Sequence, residues 1–507
     1  MSGARLFHWR VILKRIAFVA ILTCTVLSPQ RAGAADQWTE TSSTHFTVWS
    51  NAGDGQTRDL LWQFEQIRFA VKALWPWTLE LTKPMLVLGV KDEESMKALA
   101  PRYWEQKGGV RPASVWVTGL DQHYMVIRVD LRGDDNLMLN PYTSAYFSYV
   151  NLILTSSFGR ELPLWFSRGM AGVQSNTIVR GNRILLGPPI PWHLERLQTG
   201  ARLRLKDLIT VTRSSKDVTQ AEGLATFDAQ SWALVHFLMF GQNAARRNGL
   251  NTFASLMDKG AEPAAAFVEA FGRVEDLEGD FASYIKRQLY SYQQFDLDKE
   301  TKREQFKSRR LTPAESAAGR ASFHVAMGRA GEARALIEEA RKAEPNSPDA
   351  YAAEAQLLIR DDKRDEAKAA FAKAAELGST NAIVYYRAAR SLWGSERTAD
   401  ATLQQMEKYL VKATELNPNY PEAFAELGDV RSALKKSPDD VIPILASAVK
   451  LDPFDPWIRL TVARAFWRLD KREEARNVAR IALALAGDDM RAKAEAERLL
   501  ATIPEKK

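Results

Sequence analysis

The chain has 507 residues, of which 46% are hydrophobic and 26% charged, so it is long enough for two or three domains that each bury a core. This composition excludes wholesale disorder. The formal net charge is +7, but the first 34 residues hold five Lys or Arg and no acid, which leaves +2 for the remainder and removes nucleic acid as a predicted partner.

Residues 1–34 have the layout of a secretory signal peptide. Basic residues precede the apolar run 16–27, and the small residues 32–34 then provide a cleavage site before Ala35. The run is short for a spanning helix, which needs about 20 residues, so an uncleaved anchor is the alternative. We expect an exported bacterial protein, periplasmic or otherwise extracytoplasmic, with no membrane span after cleavage.

The single cysteine, Cys24, lies inside this apolar run, so the mature chain would contain none. Its loss with the signal peptide excludes disulfides, cysteine-ligated zinc and a cysteine nucleophile in the exported chain. The residue types before Cys24 lack the small side chain usual at a lipidated cysteine, so lipidation is the less favoured alternative.

Residues 35–295 have the pattern of an α+β domain. Strands are predicted at 45–50 and 84–90, and the helical spacing of apolar residues predicts a helix over 57–75 between them. Residues 114–131 and 177–187 predict two hairpins, the second with Gly181-Asn182 in its turn. A helix over 229–241 is apolar on nearly every side, which predicts a central position in a core.

Residues 296–312 are highly charged and poor in apolar side chains. This composition predicts a solvated helical linker, and it marks the boundary between the α+β domain and the helical repeats that come after it.

Residues 313–489 consist of Ala-rich helices with a repeat of about 34 residues. Five alanines recur near the end of every second helix at spacings of 34, 39, 35 and 34: Ala340, Ala374, Ala413, Ala448 and Ala482. Small residues let paired helices approach closely, so the segment resembles about five tetratricopeptide (TPR) units, the third with about five extra residues near 395–402. Residues 490–507 predict a capping helix and a tail. An unrelated helical bundle is the alternative.

A segment in the first domain, residues 145–173, reads AYFSYVNLILTSSFGRELPLWFSRGMAGV. Tyr146, Tyr149, Val150 and Ile153 lie at positions i, i+3, i+4 and i+7, which predicts a helix over 143–155 with one buried face. A second helix is predicted to begin after Pro163.

Residues 38 to about 294 resemble the peptidase MA-like, or DUF1570, family of gluzincin-type metallopeptidase domains. The resemblance rests on LPLWFSRGMAGV from Leu162 and on TFDAQSWALVHFLMFG from Thr226. In active members one helix carries His-Glu-x-x-His, in which the two histidines bind zinc and the glutamate is the general base. A second glutamate, in the following motif, is the third zinc ligand. The resemblance implies an α+β metallopeptidase-like fold followed by an all-α TPR solenoid.

In this chain the zinc-binding positions of that pattern carry other residues. Phe147 and Asn151 stand in the two His positions, Ser148 in the Glu position and Arg168 in the third-ligand position. The six histidines include no pair four residues apart, so no His-x-x-x-His motif exists. We therefore predict no catalytic residue, no metal and no cofactor, while Gly169 and other framework residues are retained.

A cation next to a divalent metal is unfavourable, so Arg168 opposes zinc binding. We expect Arg168 to fill the former zinc space near Asn151 and Ser148, with an acidic partner.

Three further residues are candidates for lining the cleft. Trp165 belongs to the retained motif. His236 is more consistent with a hydrogen-bonded core histidine than with a general base. Glu161 is more consistent with a solvated surface residue than with a replacement carboxylate.

Two functions stay open at this point. The favoured one is an exported, catalytically inactive metallopeptidase-like protein that acts as a protein- or peptide-binding scaffold through its TPR surface. An alternative within this first function is that the array serves only as a support for the first domain. The second function is an active hydrolase or peptidase with relocated catalytic residues in the same cleft, although no Ser-His-Asp set is recognisable in the sequence.

Overall fold

A computed structural model describes residues 37–74, 80–105, 111–133, 136, 138–158, 161–241, 243–394 and 398–504. The predicted signal peptide lies outside these described residues. Trp38–Lys507 forms one compact unit. Within the described part of the chain, no helix combines the length and the apolar character that crossing a membrane requires.

The described strands form a six-stranded sheet and a three-stranded sheet. Their bounds are β1 (Thr39–Ser42), β2 (Thr47–Ser50), β3 (Met85–Val90), β4 (Ser114–Thr118), β5 (His123–Arg128), β6 (Ile178–Arg180), β7 (Arg183–Leu186), β8 (Gln293–Asp296) and β9 (Lys307–Arg310). The large sheet has the order β4-β5-β3-β2-β1-β9, and its central strands β2, β3 and β5 run parallel. The small sheet is the antiparallel set β6-β7-β8.

Helices follow or connect these strands through the rest of the first domain. Their bounds are α1 (Asp54–Leu74), α2 (Glu93–Leu99), α3 (Arg102–Glu105), α4 (Thr143–Ser157), α5 (Leu164–Ser175), α6 (Pro191–Thr199), α7 (Leu205–Ile209), α8 (Lys216–Thr219), α9 (Ala221–Phe240), α10 (Ala244–Asp258), α11 (Pro263–Phe271) and α12 (Val274–Ile285). The predicted strands at 45–50 and 84–90, both hairpins and the helices α1, α4 and α5 are confirmed, with ends shifted by a few residues. The helix predicted over 229–241 is also confirmed, but α9 begins eight residues earlier, at Ala221.

Strand β3 is buried along its whole length because both faces of the sheet are covered. Met85 and Val87 point into the core shared with α1 and α4, whereas Leu86 and Leu88 point to the opposite face. There they share a cluster with Phe323, which belongs to the helix that opens the repeat array. The array therefore covers one face of the sheet and is not a separate body beside it.

The prediction of a helical linker over residues 296–312 was wrong. β9 lies within that segment and pairs antiparallel with β1, from Thr39↔Arg310 to Ser42↔Lys307, and Arg303–Gln305 forms a 3-10 turn. Phe306 is buried, and Arg58 Nη1 donates to its carbonyl at 2.6 Å. The charged side chains of β9 stay in water while its backbone pairs with the sheet, so an edge strand has the composition of a linker.

The repeat array consists of helix pairs followed by one further helix. Its helices are α13 (Pro313–Ala326), α14 (Ala330–Ala343), α15 (Pro348–Arg360), α16 (Arg364–Glu376), α17 (Ala382–Ser391), α18 (Asp400–Leu416), α19 (Pro421–Ala433), α20 (Pro438–Leu451), α21 (Pro456–Arg468), α22 (Arg472–Leu485) and α23 (Met490–Thr502). All five periodic alanines have no exposed surface, which confirms them as the points of close helix approach. Of the extra residues predicted near 395–402 in the third unit, 395–397 lie outside the described residues and 400–402 belong to α18. Helix α23 packs on α22, as expected of a capping helix.

Candidate functional site

Helix α5, which carries the retained motif, packs between α4 and α9. The approach to α9 depends on Gly169, because a Cβ at this position would lie 2.4 Å from the backbone oxygen of Ser231. Gly172 of the same helix faces Trp232, because a Cβ added at Gly172 would lie 3.3 Å from the Trp232 Cβ. Both glycines thus have a packing role, independent of any chemistry.

Arg168 points from α5 towards α9 and forms a bidentate ion pair with Asp228. Its Nη2 donates to Oδ2 at 2.7 Å and its Nε donates to Oδ1. The guanidinium carbon lies 5.1 Å from the centre of the Phe147 ring, in cation–π geometry. The two charged side chains are only 23% and 18% exposed. The expected acidic partner is therefore Asp228, which lies in the second family-like motif but which no spacing in the sequence singles out.

Ser148 does not take part in this ion pair through its hydroxyl, which donates to the Ser144 carbonyl of its own helix at 3.1 Å. The side chains at the four positions compared with the family pattern do not fit zinc, since zinc is bound by imidazole, thiolate or carboxylate. They offer a ring, a hydroxyl, an amide and a guanidinium, and the nearby carboxylate of Asp228 is already neutralised. Among the described residues, no three His, Cys, Asp or Glu come together as a metal-binding group.

His236 belongs to the core, and its placement among the possible cleft residues was wrong. It is completely buried, and burial lowers its pKa to about 4, so the imidazole is neutral at physiological pH. Its Nε2 lies 2.9 Å from the Gly187 carbonyl, which can only accept, and its Nδ1 lies 2.7 Å from the Tyr284 hydroxyl. Both ring nitrogens are satisfied, which confirms the interpretation of a hydrogen-bonded core histidine.

Trp165 and Glu161 do lie beside a common cavity of about 520 Å³. Trp165 is a buried wall residue whose ring packs 5.6 Å from that of Phe267. Glu161 is exposed and forms an ion pair with Arg213, which also lines the cavity. The described lining residues include neither Phe147 nor Arg168, so this cavity is distinct from the Arg168–Asp228 ion pair.

The array presents a second candidate site on the face formed by the first helix of each pair, α13, α15, α17, α19 and α21, here called the first-helix face. The loops of the large sheet reach this face. A cavity of about 200 Å³ is lined by residues of α13, α15 and α17 together with Lys83 and the turn between β4 and β5. Asn417, after α18, donates to the Thr82 carbonyl at 3.0 Å.

The contact between the sheet and α13 is especially close. A Cβ on Gly319 would lie 2.0 Å from the Trp49 ring, so only glycine permits this approach. Trp49 is held in place because its indole nitrogen donates to Glu40 at 2.9 Å. On the same face the ring of Tyr124 lies 6.0 Å from that of Phe323.

Further along the first-helix face, between α17, α19 and α21, lies a cavity of about 370 Å³. Its walls carry both charges and aromatic rings, among them Arg387, Arg390, Glu422 and the exposed Trp457. Glu422 is partly buried, and this burial raises its pKa. Behind the cavity, the buried Asp429 accepts from Arg464 Nε at 3.0 Å and also pairs with Arg468.

Comparison with known proteins finds similarity only to solved structures. No protein-family model and no curated protein matches the chain. One similar structure is YrrB, described as a TPR protein with an unusual peptide-binding site (20% identity, 36% of this chain, 92% of that chain, TM-score 0.30). A second is TTC0263, a thermophilic TPR protein of Thermus thermophilus (22%, 37%, 99%, 0.27), and a third is yeast Tom70 (14%, 71%, 87%, 0.26).

Residues 313–502 form a helical-repeat array that resembles TPR solenoids. Because all three TM-scores are below 0.5, this assignment rests on the helix pairs and the buried alanine period. The likeness does not extend the assignment to the first domain, for which the peptidase MA-like family stays a prediction.

Proposed function

We propose that this chain is an exported, catalytically inactive metallopeptidase-like protein that acts as a protein- or peptide-binding scaffold through its repeat array. The observation that carries the inactive part is the ion pair of Asp228 with Arg168, the residue that stands at the third-ligand position when the family pattern is laid on the sequence. A fixed guanidinium there repels a divalent cation, and its partner carboxylate is not free to bind one.

The binding part of the proposal is supported by the cavity between α17, α19 and α21. It combines an exposed aromatic ring with the arginines Arg387 and Arg390, residue types that are enriched at protein-binding surfaces. Trp457 is 44% exposed, and tryptophan is enriched among the residues that dominate binding free energy.

The exported location is proposed from the first 34 residues alone, whose basic start, apolar run and small-residue site form the pattern of a cleavable signal peptide. Under this proposal the chain is located in the bacterial periplasm or an equivalent extracytoplasmic compartment.

A capture experiment tests the binding role. Residues 35–507 would be immobilised and exposed to an envelope extract of the native cell, next to a Trp457→Ala and an Ile481→Ala variant. Ile481 is a matched control, because it is 43% exposed but lies on α22, outside the first-helix face.

We expect one partner to be retained by the wild-type chain and by Ile481→Ala but lost with Trp457→Ala. Capture that is equal for all three chains, or no capture above that of an unrelated protein, would contradict the proposed scaffold role.

A further inference from the structure

The turn between β4 and β5 is inserted between the first domain and the repeat array. It is closed by the Gly119 N–H, which donates to the Gln122 carbonyl at 2.8 Å. Asp121 at its tip is buried, and its Oδ1 accepts from the Tyr124 hydroxyl at 3.0 Å. One side of this carboxylate is thus held by its own hairpin.

The other side of the carboxylate is held by the array. Its Oδ2 accepts from Gln356 Nε2 of α15 and from Asn381 Nδ2 at the start of α17, both at 3.0 Å. The two amides come from consecutive repeats and converge on one oxygen. Asn381 is itself fixed, because its Oδ1 accepts from the Ile383 N–H and caps α17.

This arrangement is built from neutral donors: a hydroxyl and two amides hold the Asp121 carboxylate. Burial raises the pKa of Asp121, and burying a carboxylate among neutral groups costs free energy. Apolar residues of similar size would pack this junction at lower cost, so the polar set is better explained by recognition of a carboxylate than by stability.

The turn also contributes an apolar side chain, and it borders two cavities. Leu120 packs against the array cluster that contains Ile383 and Tyr386. The cavity of about 200 Å³ is lined by Leu120, Asp121 and Gln122, and the cavity of about 370 Å³ also reaches Leu120. A second contact between the sheet and the array, that of Trp49 with Gly319, does not involve Leu120 or Asp121.

We propose that the groove between α15 and α17 is a recognition site for a turn that carries an apolar residue followed by an aspartate. The chain fills this site in cis with its own Leu120-Asp121, and an external partner of the same chemistry has to displace them. This inference rests on the proposed function of the array as a binding module, and it adds the chemistry and the regulation of the site.

The test uses residues 35–507 and a fluorescent cyclic peptide with the sequence VTGLDQHY, which is residues 117–124 of the chain. A Leu120→Ala/Asp121→Ala variant weakens the cis contact. A second variant adds Gln356→Ala and Asn381→Ser, which removes both amides but leaves a residue that can cap α17. Fluorescence anisotropy measures binding.

We expect no binding to the wild-type chain, binding to Leu120→Ala/Asp121→Ala, and at least tenfold weaker binding once both amides are removed. A peptide with Ala in place of Asp should not bind any of the three. A folded Leu120→Ala/Asp121→Ala variant that does not bind the peptide would overturn the inference.

Should that variant fail to fold, hydrogen exchange of the wild-type chain decides. If the backbone amides of residues 117–124 exchange through a local opening that costs less free energy than global unfolding, the turn can be displaced and the inference is supported. If they exchange only through global unfolding, the inference is overturned. This outcome is separable from the proposed function, because partner capture through Trp457 does not involve the peptide. If the peptide does not bind but the partner is still captured, the inference about the turn fails. If the partner is not captured but the peptide binds, the proposed scaffold function fails.

Discussion

The Arg168 site in the first domain and the Asp121 site at the array both remove a carboxylate from water, but they satisfy it differently. Asp228 receives a bidentate guanidinium and is neutralised. Asp121 receives one hydroxyl and two amides, all of them neutral donors. The first arrangement neutralises the carboxylate with a cation, whereas the second holds it with neutral groups alone.

The largest effect is expected from breaking the helix contact behind the Arg168 site. Gly169→Ala would place a methyl group 2.4 Å from the Ser231 backbone oxygen, and neither helix can yield without loss of packing. We expect a loss of about 3 kcal/mol in the free energy of unfolding, measured by denaturant titration. Gly279→Ala is the control, since it is helical and its added Cβ meets nothing within 4 Å. Equal stability of the two variants would contradict the packing role.

The corresponding contact beside the Asp121 site is predicted to be somewhat more tolerant. Gly319→Ala would force its Cβ into the Trp49 ring, which is a side chain and can shift by breaking its bond to Glu40. We expect a loss of about 2 kcal/mol in unfolding free energy. Trp49 fluorescence should change in the folded state, because the ring moves. An unchanged spectrum with unchanged stability would show that the array does not depend on this approach.

The Arg168–Asp228 pair itself is expected to contribute less. Arg168→Ala or Asp228→Ala leaves one largely buried charge without its partner, at a cost of about 2 kcal/mol each. The double variant should cost less than the sum, with a coupling free energy of about 1 kcal/mol in a double-mutant cycle. Strictly additive losses would mean that the two side chains do not interact in solution.

Sequence reasoning succeeded where the pattern is local. The five buried alanines and the buried strand β3 follow from spacing and residue type alone. The Asp228 partner of Arg168 and the two amide contacts of Asp121 could not be predicted, because these partners lie 60 to 260 residues away and leave no periodic signal. The β9 edge strand was mistaken for a linker because its side chains are solvated and only its backbone is engaged.

The smallest effect on stability is expected at Asp349, a partly buried acid of the array that is distinct from Asp121. Burial, with smaller contributions from Glu315 and Glu344, raises the pKa of Asp349 from 3.8 to about 6. The folded state therefore binds a proton that the unfolded state has released, so the contribution of Asp349 to stability is greatest below pH 4 and falls as the pH rises to 6. Asp349→Asn should gain on the order of 1 kcal/mol at about pH 7 and nothing below about pH 4, measured by thermal unfolding at both values. A gain in stability that does not depend on pH would contradict the raised pKa of Asp349.

The proposed loss of a zinc site is tested most directly by the zinc content of residues 35–507 after equilibration with excess zinc and desalting, measured by mass spectrometry. A Phe147→His/Ser148→Glu/Asn151→His/Arg168→Glu variant restores the family pattern and serves as the matched control. We predict that the wild-type chain retains far less than one zinc per molecule and shows no chelator-sensitive proteolysis, whereas the folded restored variant retains about one, the stoichiometry of a single three-ligand site. Stoichiometric zinc in the wild-type chain would contradict the proposed loss of the site.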